Sequence, residues 1–337
     1  MRPQALRIGF VSVIRPAFKG ASVAAAGASV AELERLGDQL GFQLVLPHLT
    51  HAVRTADGST VPPYAVSEAE AAALAASQLR AADLDLLLIQ HTTFATGELL
   101  APLLSACERT GVWALPERGT GAGDTAGTSG PLPRNSLCGL NMTLSYLSSP
   151  EVNKQQPVKW FYGPADSSRF VERLAVTVAA LRGLRALESA RVLQIGGAAP
   201  GFYGLGEELE LEGPKVDSLP LAQFLERIAA VDASKAAVLA AEQAALEPHD
   251  VTKEQLERSA RIELALTALA EEGDYHALAV RCWPELPERC GSMACAAMGN
   301  LSRAVPAACE GDVVGALSMP QTCMRSPRDG HTPPQCL

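Results

Sequence analysis

The sequence predicts an α/β protein with two doubly wound parallel-sheet domains, followed by the start of a truncated third domain. Short runs rich in Val, Ile and Leu alternate with longer amphipathic or Ala-rich stretches, which is the pattern of a parallel sheet flanked by helices. The chain of 337 residues also exceeds the length at which one hydrophobic core stops growing. We therefore expect a first α/β domain over 1–150, a second over 151–275, and the beginning of a third over 276–320.

The first domain is predicted from apolar strands that alternate with helices. The strands are expected at 8–13, 42–46, 84–89 and 112–115, and the helices at 29–41, 67–81 and 97–110. The second helix begins at Ser67 and carries Glu68 and Glu70 in its first turn, where carboxylates complement the helix dipole. Residues 116–134 are nearly all Gly, Thr, Ser, Pro and charged residues, which indicates a loop over a cleft.

The second domain is predicted from the same alternation. Its elements are expected as strands at 158–162 and 192–195, a long helix at 168–189, and helices near 219–231, 234–246 and 251–272. The strand at 192–195 runs into Gly196 and Gly197, which permit close approach of the backbone to a ligand. A strand at 276–282 opens the third segment, and 321–337 lacks apolar periodicity and is expected to be disordered.

Composition excludes several classes of function. The 28 basic and 37 acidic residues give a net charge of −9, and the basic residues are dispersed, so nucleic acid is not expected as a partner. No apolar run reaches the roughly 18 residues that span a bilayer, and the amino terminus lacks the length and cleavage site of a signal peptide. A cytoplasmic protein without a membrane partner is predicted.

The cysteines allow two interpretations. Eight cysteines spread over a long chain without a signal peptide favour reduced thiols over a disulfide framework. Cys282, Cys290, Cys295 and Cys309 could in principle bind zinc, but their spacings fit no compact zinc knuckle. We interpret them as small buried hydrophobic residues.

Acidic residues follow two otherwise apolar strands, where a charge is costly unless it binds something. One is Glu285, and the others are Glu310 and Asp312. In an extended chain Glu310 and Asp312 point to the same face, and Gly311 between them lets the backbone fold closely around a cation. Carboxylates of this kind suit Mn²⁺ or Mg²⁺ better than zinc. The alternative is that these residues are a helix cap and a neighbouring surface charge before a helix that starts at Val313.

Five short motifs, in one order over most of the chain, resemble those of the L-fucose and L-arabinose isomerases. They are Ile14-Arg15-Pro16, Gln90-His91-Thr92-Thr93, the segment from Gly196 to Phe202, Arg281-Cys282-Trp283-Pro284-Glu285, and Cys309-Glu310-Gly311-Asp312-Val313. This resemblance implies a metal-dependent sugar ketol isomerase that interconverts an aldose and a ketose through an enediol, with Mn²⁺ or another divalent cation. It also implies a homo-oligomer with a small sugar as substrate.

The resemblance further implies roles for particular residues. Glu285, together with Glu310 or Asp312, would bind the metal, and Glu285 and Glu310 would act as acid and base. Arg15 and His91 would contact the sugar, in part from an adjacent subunit, and Trp283 is also assigned to substrate binding. Independently of the resemblance, Asn135 is expected to line the cleft. Two simpler alternatives stay open: Arg15 as a surface charge before a proline turn, and His91 as a polar side chain that fixes the strand-end loop.

The same resemblance leads us to expect a chain truncated at its carboxyl terminus. The isomerases continue past the Glu-Gly-Asp motif into a domain that contributes a histidine ligand and further sugar contacts, whereas this sequence ends soon after Asp312. Three hypotheses therefore stay open: an active isomerase, a non-catalytic remnant that binds sugar or oligomerises, and a sugar-binding sensor.

Overall fold

The computed structural model describes residues 5–18, 23–50, 53–55, 58–117, 134–148, 158–203, 213–245 and 250–319. The chain divides into two compact units, Met1–Arg182 and Gly183–Leu337. Parallel sheets flanked by helices confirm the predicted α/β class. The predicted tail at 321–337 and all but the edges of the predicted loop at 116–134 lie outside the described residues. Within the described part, no helix combines the length and the apolar character needed to cross a bilayer.

The first unit is a parallel sheet between two layers of helices. Its elements are β1 (Leu6–Val13), α1 (Val23–Leu40), β2 (Phe42–Val45), β3 (Ala65–Val66), α2 (Ala69–Ala81), β4 (Leu86–His91), α3 (Gly97–Leu104), β5 (Thr110–Ala114), α4 (Ser136–Leu147), β6 (Val158–Tyr162) and most of α5 (Ser168–Glu188), a helix that continues past the end of the unit at Arg182. The strand order is β2-β1-β4-β5-β6, with β3 beside the end of β1. This is a doubly wound order: β2 lies on one side of β1, and the later strands β4, β5 and β6 lie on the other side.

Alternation along the strands explains why both faces of this sheet are covered. Ile8 and Phe10 of β1 pack in the cluster that contains α1 and α5, whereas Val11 and Val13 pack in the cluster that contains α2 and α3. At the centre of the first cluster the ring centroids of Trp113 and Phe170 lie 4.4 Å apart.

The second unit repeats this plan with a smaller sheet. Its elements are β7 (Arg191–Ile195), β8 (Lys215–Leu219), α6 (Leu221–Ala229), α7 (Ala233–Ala244), α8 (Lys253–Gly273), β9 (Ala277–Val280), α9 (Glu285–Cys290), α10 (Cys295–Leu301), β10 (Ala307–Ala308) and α11 (Val313–Ser318). This sheet is also parallel, with the strand order β10-β9-β7-β8. It is again doubly wound, because β8 lies on one side of β7 and β9 lies on the other. Helices α6 and α8 cover one face, and α11 covers the other.

The strand partners differ from the predicted domain organisation in two places. β6 pairs with β5, so the structure places residues 158–162 in the first sheet rather than in a second domain that begins at 151. β9 and β10 pair with each other and, through β7, join the second sheet instead of opening a third segment at 276. Both differences have one reason: apolar periodicity identifies a strand but carries no information about its neighbour.

Candidate functional site

Three strands of the second unit end side by side and present their following residues at one edge of the sheet. β7 leads into Gly196 and Gly197, β9 leads into Arg281, and β10 leads into Cys309. The register aligns these ends, since Ile195 pairs with Val280. The strand order changes side between β7 and β9, since β8 was added on the opposite side of β7. Open parallel sheets bind ligands at this position.

The residues after β10 form a tight turn that fixes Glu310. Cys309–Gly311 is a 3₁₀ turn, and Glu310 adopts a left-handed backbone with φ of 56°. Its carbonyl accepts a hydrogen bond of 2.8 Å from the backbone N–H of Ala199, and the buried Gln194 side chain donates one of 3.1 Å to the carbonyl of Gly311. Non-glycine residues adopt this backbone rarely, and such outliers concentrate at functional sites.

Gly311 allows this turn to lie against the loop that follows β7. Its φ is 78°, and a Cβ atom at this position would come within 2.1 Å of the carbonyl oxygen of Gly197. The prediction of an extended chain from Glu310 to Asp312 is therefore wrong, because long-range hydrogen bonds bend the segment. Asp312 instead accepts a hydrogen bond of 2.7 Å from the N–H of Gly315 and caps α11, which is the alternative that the sequence left open.

The side chain of Glu310 lies beside two thiols. The buried Cys282 donates to its Oε1 over 3.8 Å, and the Sγ atoms of Cys282 and Cys309 and this carboxylate all lie within 4.8 Å of one another. Loss of solvation raises the pKa of the Cys282 thiol. Cys309 is exposed as a residue, but its thiol faces Cys282 and Glu310, and desolvation there raises its pKa to about 12.

Glu285 is engaged by an arginine rather than by Glu310. The guanidinium of Arg281 binds both carboxylate oxygens of Glu285 as an ion pair, with Nε 3.1 Å from Oε2. Glu285 begins α9, so the first turn of this helix holds the pair at the end of β9. Trp283 lies between the two residues in sequence and is 47% exposed, which leaves its ring open to a ligand.

The predicted sugar contacts of the first unit lie at the ends of its own strands. Arg15 follows β1 and is exposed, while its backbone N–H donates to the Thr93 hydroxyl over 2.7 Å. Asn135 precedes α4 in a left-handed conformation, and its N–H donates to the Glu117 carboxylate over 2.7 Å. The Arg15 guanidinium lies over the Phe18 ring, with its Cζ atom 5.9 Å from the ring centroid.

His91 ends β4 and is completely buried. Its Nε2 lies 2.9 Å from the hydroxyl of Thr143 on α4, and a Cβ on Gly139 of the same helix would lie only 2.7 Å from its Nδ1. Its backbone carbonyl accepts a hydrogen bond from Ser136. This placement suits a side chain that fixes α4 over the strand end, because no surface of His91 is open to a sugar.

The buried His91 is expected to make the protein less stable in acid. Burial lowers its pKa from the ordinary 6.5 to about 4, so between these values the unfolded chain binds more protons than the folded one. The free energy of unfolding should therefore fall as the pH falls through this window. Urea denaturation at a series of pH values should show a shallower pH dependence for His91→Gln than for the wild type. An equal slope in wild type and His91→Gln would contradict this origin.

Sequence reasoning missed how the cysteines and Arg281 are used. Cys295 and Cys309 are exposed, so their interpretation as buried hydrophobic residues is wrong, while Cys282 is buried as predicted. Cys282 and Cys309 meet because β9 and β10 are neighbours, a relation that their separation in sequence does not reveal. The ion pair of Arg281 and Glu285 had no sequence signal, because Arg281 lies before α9 and the spacing rule for helical pairs does not apply to it.

Fold and site define a protein with two parallel α/β sheets, the second of which carries a carboxylate, two thiols and an ion pair at its carboxyl edge. No family model matches the chain. It is similar to three curated proteins named sulfoquinovose isomerase, with 30% identity over 253 residues to the one from Alkalicoccus urumqiensis. The proteins from Priestia aryabhattai and Priestia megaterium are 27% identical to it over 249 residues.

Each match covers 70% of this chain and 52% of the relative, so the chain spans about half the length of these curated relatives. The predicted similarity to sugar isomerases is confirmed at this level. Membership of the L-fucose and L-arabinose isomerase superfamily stays a prediction.

Proposed function

We propose that this chain acts as a sugar ketol isomerase that interconverts an aldose and a ketose. The observation that carries the proposal is the 30% identity to a sulfoquinovose isomerase over 253 residues. The carboxyl edge of the second sheet supports it, because a fixed carboxylate, an arginine and an exposed aromatic ring occur there together. Sulfoquinovose is accordingly the first candidate substrate.

The residues at this edge can supply the base and the positive charge that an enediol mechanism requires, and the proton on the sugar oxygen is exchanged with water. Moving a hydrogen between C1 and C2 of an open-chain sugar needs a base at carbon, a proton donor at oxygen and positive charge near the developing enediolate. Glu310 is placed to act as the base, because its backbone is held by hydrogen bonds and its carboxylate is oriented by the Cys282 thiol. Arg281, oriented by Glu285, would provide the positive charge, and Trp283 would pack against the sugar ring.

Each carboxylate predicted to bind manganese has another partner among the described residues. Glu285 is paired with Arg281, Asp312 caps α11, and Glu310 lies among two thiols. Mn²⁺ prefers carboxylate, carbonyl and water oxygens, so this mixed set of donors does not suit it. Dependence on Mn²⁺ stays a prediction, as do assembly into an oligomer and a cytoplasmic location. The roles proposed above do not require the metal.

A panel of aldoses that includes sulfoquinovose tests the proposal. Each sugar is incubated with the chain, with and without Mn²⁺, and the ketose is measured by NMR. Because the match covers 52% of each relative, the same panel is run on a version extended with the remaining part of the Alkalicoccus relative. We expect ketose from at least one sugar. Saturable binding without turnover in either protein would favour the sugar-binding remnant, and neither binding nor turnover would contradict both hypotheses.

A further inference from the structure

Three arginines line a cavity between helices α6, α8 and α9 of the second unit. They are Arg258 and Arg261 of α8 and Arg289 of α9, and the cavity has a volume of about 310 Å³. This volume is at the lower end of the range of small-molecule sites, about 300–1,000 Å³. Its described lining contains no acidic side chain and none of the residues assigned to isomerisation. We propose that this cavity, the arginine pocket, binds a phosphate monoester with a small apolar body.

Helix geometry explains why the three guanidinium groups meet. Arg258 and Arg261 are three residues apart on α8, so their side chains lie on one face of that helix. Arg289 comes from the last turn of α9, and α6 packs against both α8 and α9. In a chain with a net charge of −9, three like charges around one cavity repel each other unless an anion compensates them. Planar guanidinium groups match the oxygens of a phosphate with paired hydrogen bonds.

Two of the arginines are already positioned by the protein. The Glu254 carboxylate accepts a hydrogen bond of 2.6 Å from Nη2 of Arg258, and a Cβ on Gly291 would clash with Nη1 of this arginine. Glycine at the end of α9 therefore makes room for the guanidinium. Nη1 of Arg261 donates a hydrogen bond of 3.0 Å to the carbonyl of Val231. A guanidinium has five N–H donors, so both arginines keep donors for a ligand.

The charge balance of the arginine pocket favours a dianion. Glu254 neutralises Arg258, whereas Arg261 binds a neutral carbonyl. Arg289 makes no hydrogen bond or ion pair with any other residue that the structure describes, so two positive charges remain. Loss of solvation raises the pKa of the Cys290 thiol in the lining, so this thiol adds no negative charge near neutral pH. A phosphate monoester carries close to two negative charges above its second pKa of about 6.

The α6 side of the arginine pocket is apolar, and it favours an organic ester over free phosphate. Leu225, Ile228 and Ala229 line this side, and their spacing places them on one face of α6. An organic group would cover this surface, whereas inorganic phosphate would leave it in water. Burial of apolar area therefore adds to the affinity for the ester.

Calorimetric titration of the chain with phenyl phosphate tests the arginine pocket without any sugar, so the result is independent of the isomerase proposal. At about pH 8 the ester is a dianion. We expect one equivalent to bind, with an affinity that falls as the salt concentration rises.

Three further probes separate the contributions to binding. Inorganic phosphate lacks the apolar body, benzoate carries a single charge, and benzyl alcohol carries none. Each should bind at least about 10-fold more weakly than phenyl phosphate. Absence of saturable binding of phenyl phosphate, or an equal affinity for any of these three probes, would overturn the proposal.

Variants locate the binding. Arg289→Gln changes an exposed residue, and its folding is verified by circular dichroism; it should weaken the binding of phenyl phosphate by about 10–100-fold. Arg289→Lys keeps the charge but loses the planar group, so its affinity should lie between those of the wild type and Arg289→Gln. Arg303→Gln makes the same change at an exposed arginine that does not line the cavity, and it should bind as the wild type does. Equal affinities for Arg289→Gln and Arg303→Gln would place the phosphate elsewhere and overturn the proposal.

Discussion

Glu310→Gln is expected to lower the turnover of sugar isomerisation by about 10²–10⁴-fold, the usual contribution of a positioned base. Glutamine preserves the shape of the side chain and its contact with Cys282 but cannot accept the proton from carbon. Since the backbone of Glu310 is held by Ala199 and Gln194 independently of its side chain, the fold should be retained. Initial rates and the NMR-detected ketose measure the effect.

The matched control is Glu271→Gln, which makes the same change at an exposed position of α8. This variant should keep the wild-type rate. If Glu310→Gln and Glu271→Gln were equally active, Glu310 would not be the base, and the site would have to be sought elsewhere in the chain.

Gly311→Ala is expected to lower the free energy of unfolding by about 2–5 kcal/mol. The left-handed backbone costs an L-residue about 1–2 kcal/mol, and an overpacked contact costs about 1–3 kcal/mol more. The contact is severe here, because the new Cβ would meet the Gly197 carbonyl oxygen at 2.1 Å. Backbone has to move to relieve it, so Glu310 should be displaced and turnover should fall as well. Urea denaturation and the isomerase assay measure the two effects.

Gly299→Ala serves as the control for this substitution. Gly299 lies inside α10, and a Cβ there would meet nothing within 4 Å. Alanine in a helix interior is favoured over glycine by about 1 kcal/mol, so this variant should be unchanged or slightly more stable. Equal stabilities for Gly311→Ala and Gly299→Ala would show that the turn tolerates a side chain, and the proposed rigidity of Glu310 would be lost.

The sequence predicts those strands that are buried on both faces. All six residues of β4 are buried, and its first four, Leu86–Ile89, form an uninterrupted apolar run in the sequence. The strand was predicted to begin at residue 84, but it begins at Leu86. Just before that point, the Asp85 carboxylate accepts a hydrogen bond from the N–H of Arg7. β8 was missed. Three of its five residues, Lys215–Leu219, are polar and none is buried, so no continuous apolar run marks this edge strand.

The candidate site was predicted in position but not in its internal partners. Polar residues directly after apolar strands led to Glu285, Glu310 and Asp312, and the structure places all three at or near the carboxyl edge of the second sheet. Their partners depend on which strands are neighbours and on the left-handed turn at Glu310. That turn is set by hydrogen bonds from Ala199 and Gln194, more than a hundred residues earlier in the chain, and no local pattern reports them.

Isomerisation of sulfoquinovose in D₂O, followed by NMR, tests the proposed activity most directly. An enediol mechanism in which Glu310 carries the proton predicts a ketose that contains solvent deuterium at C1, and loss of this product in Glu310→Gln. A ketose without any deuterium would contradict the enediol route, and the absence of ketose from every aldose tested, with the extended version as well as with this chain, would contradict the isomerase itself.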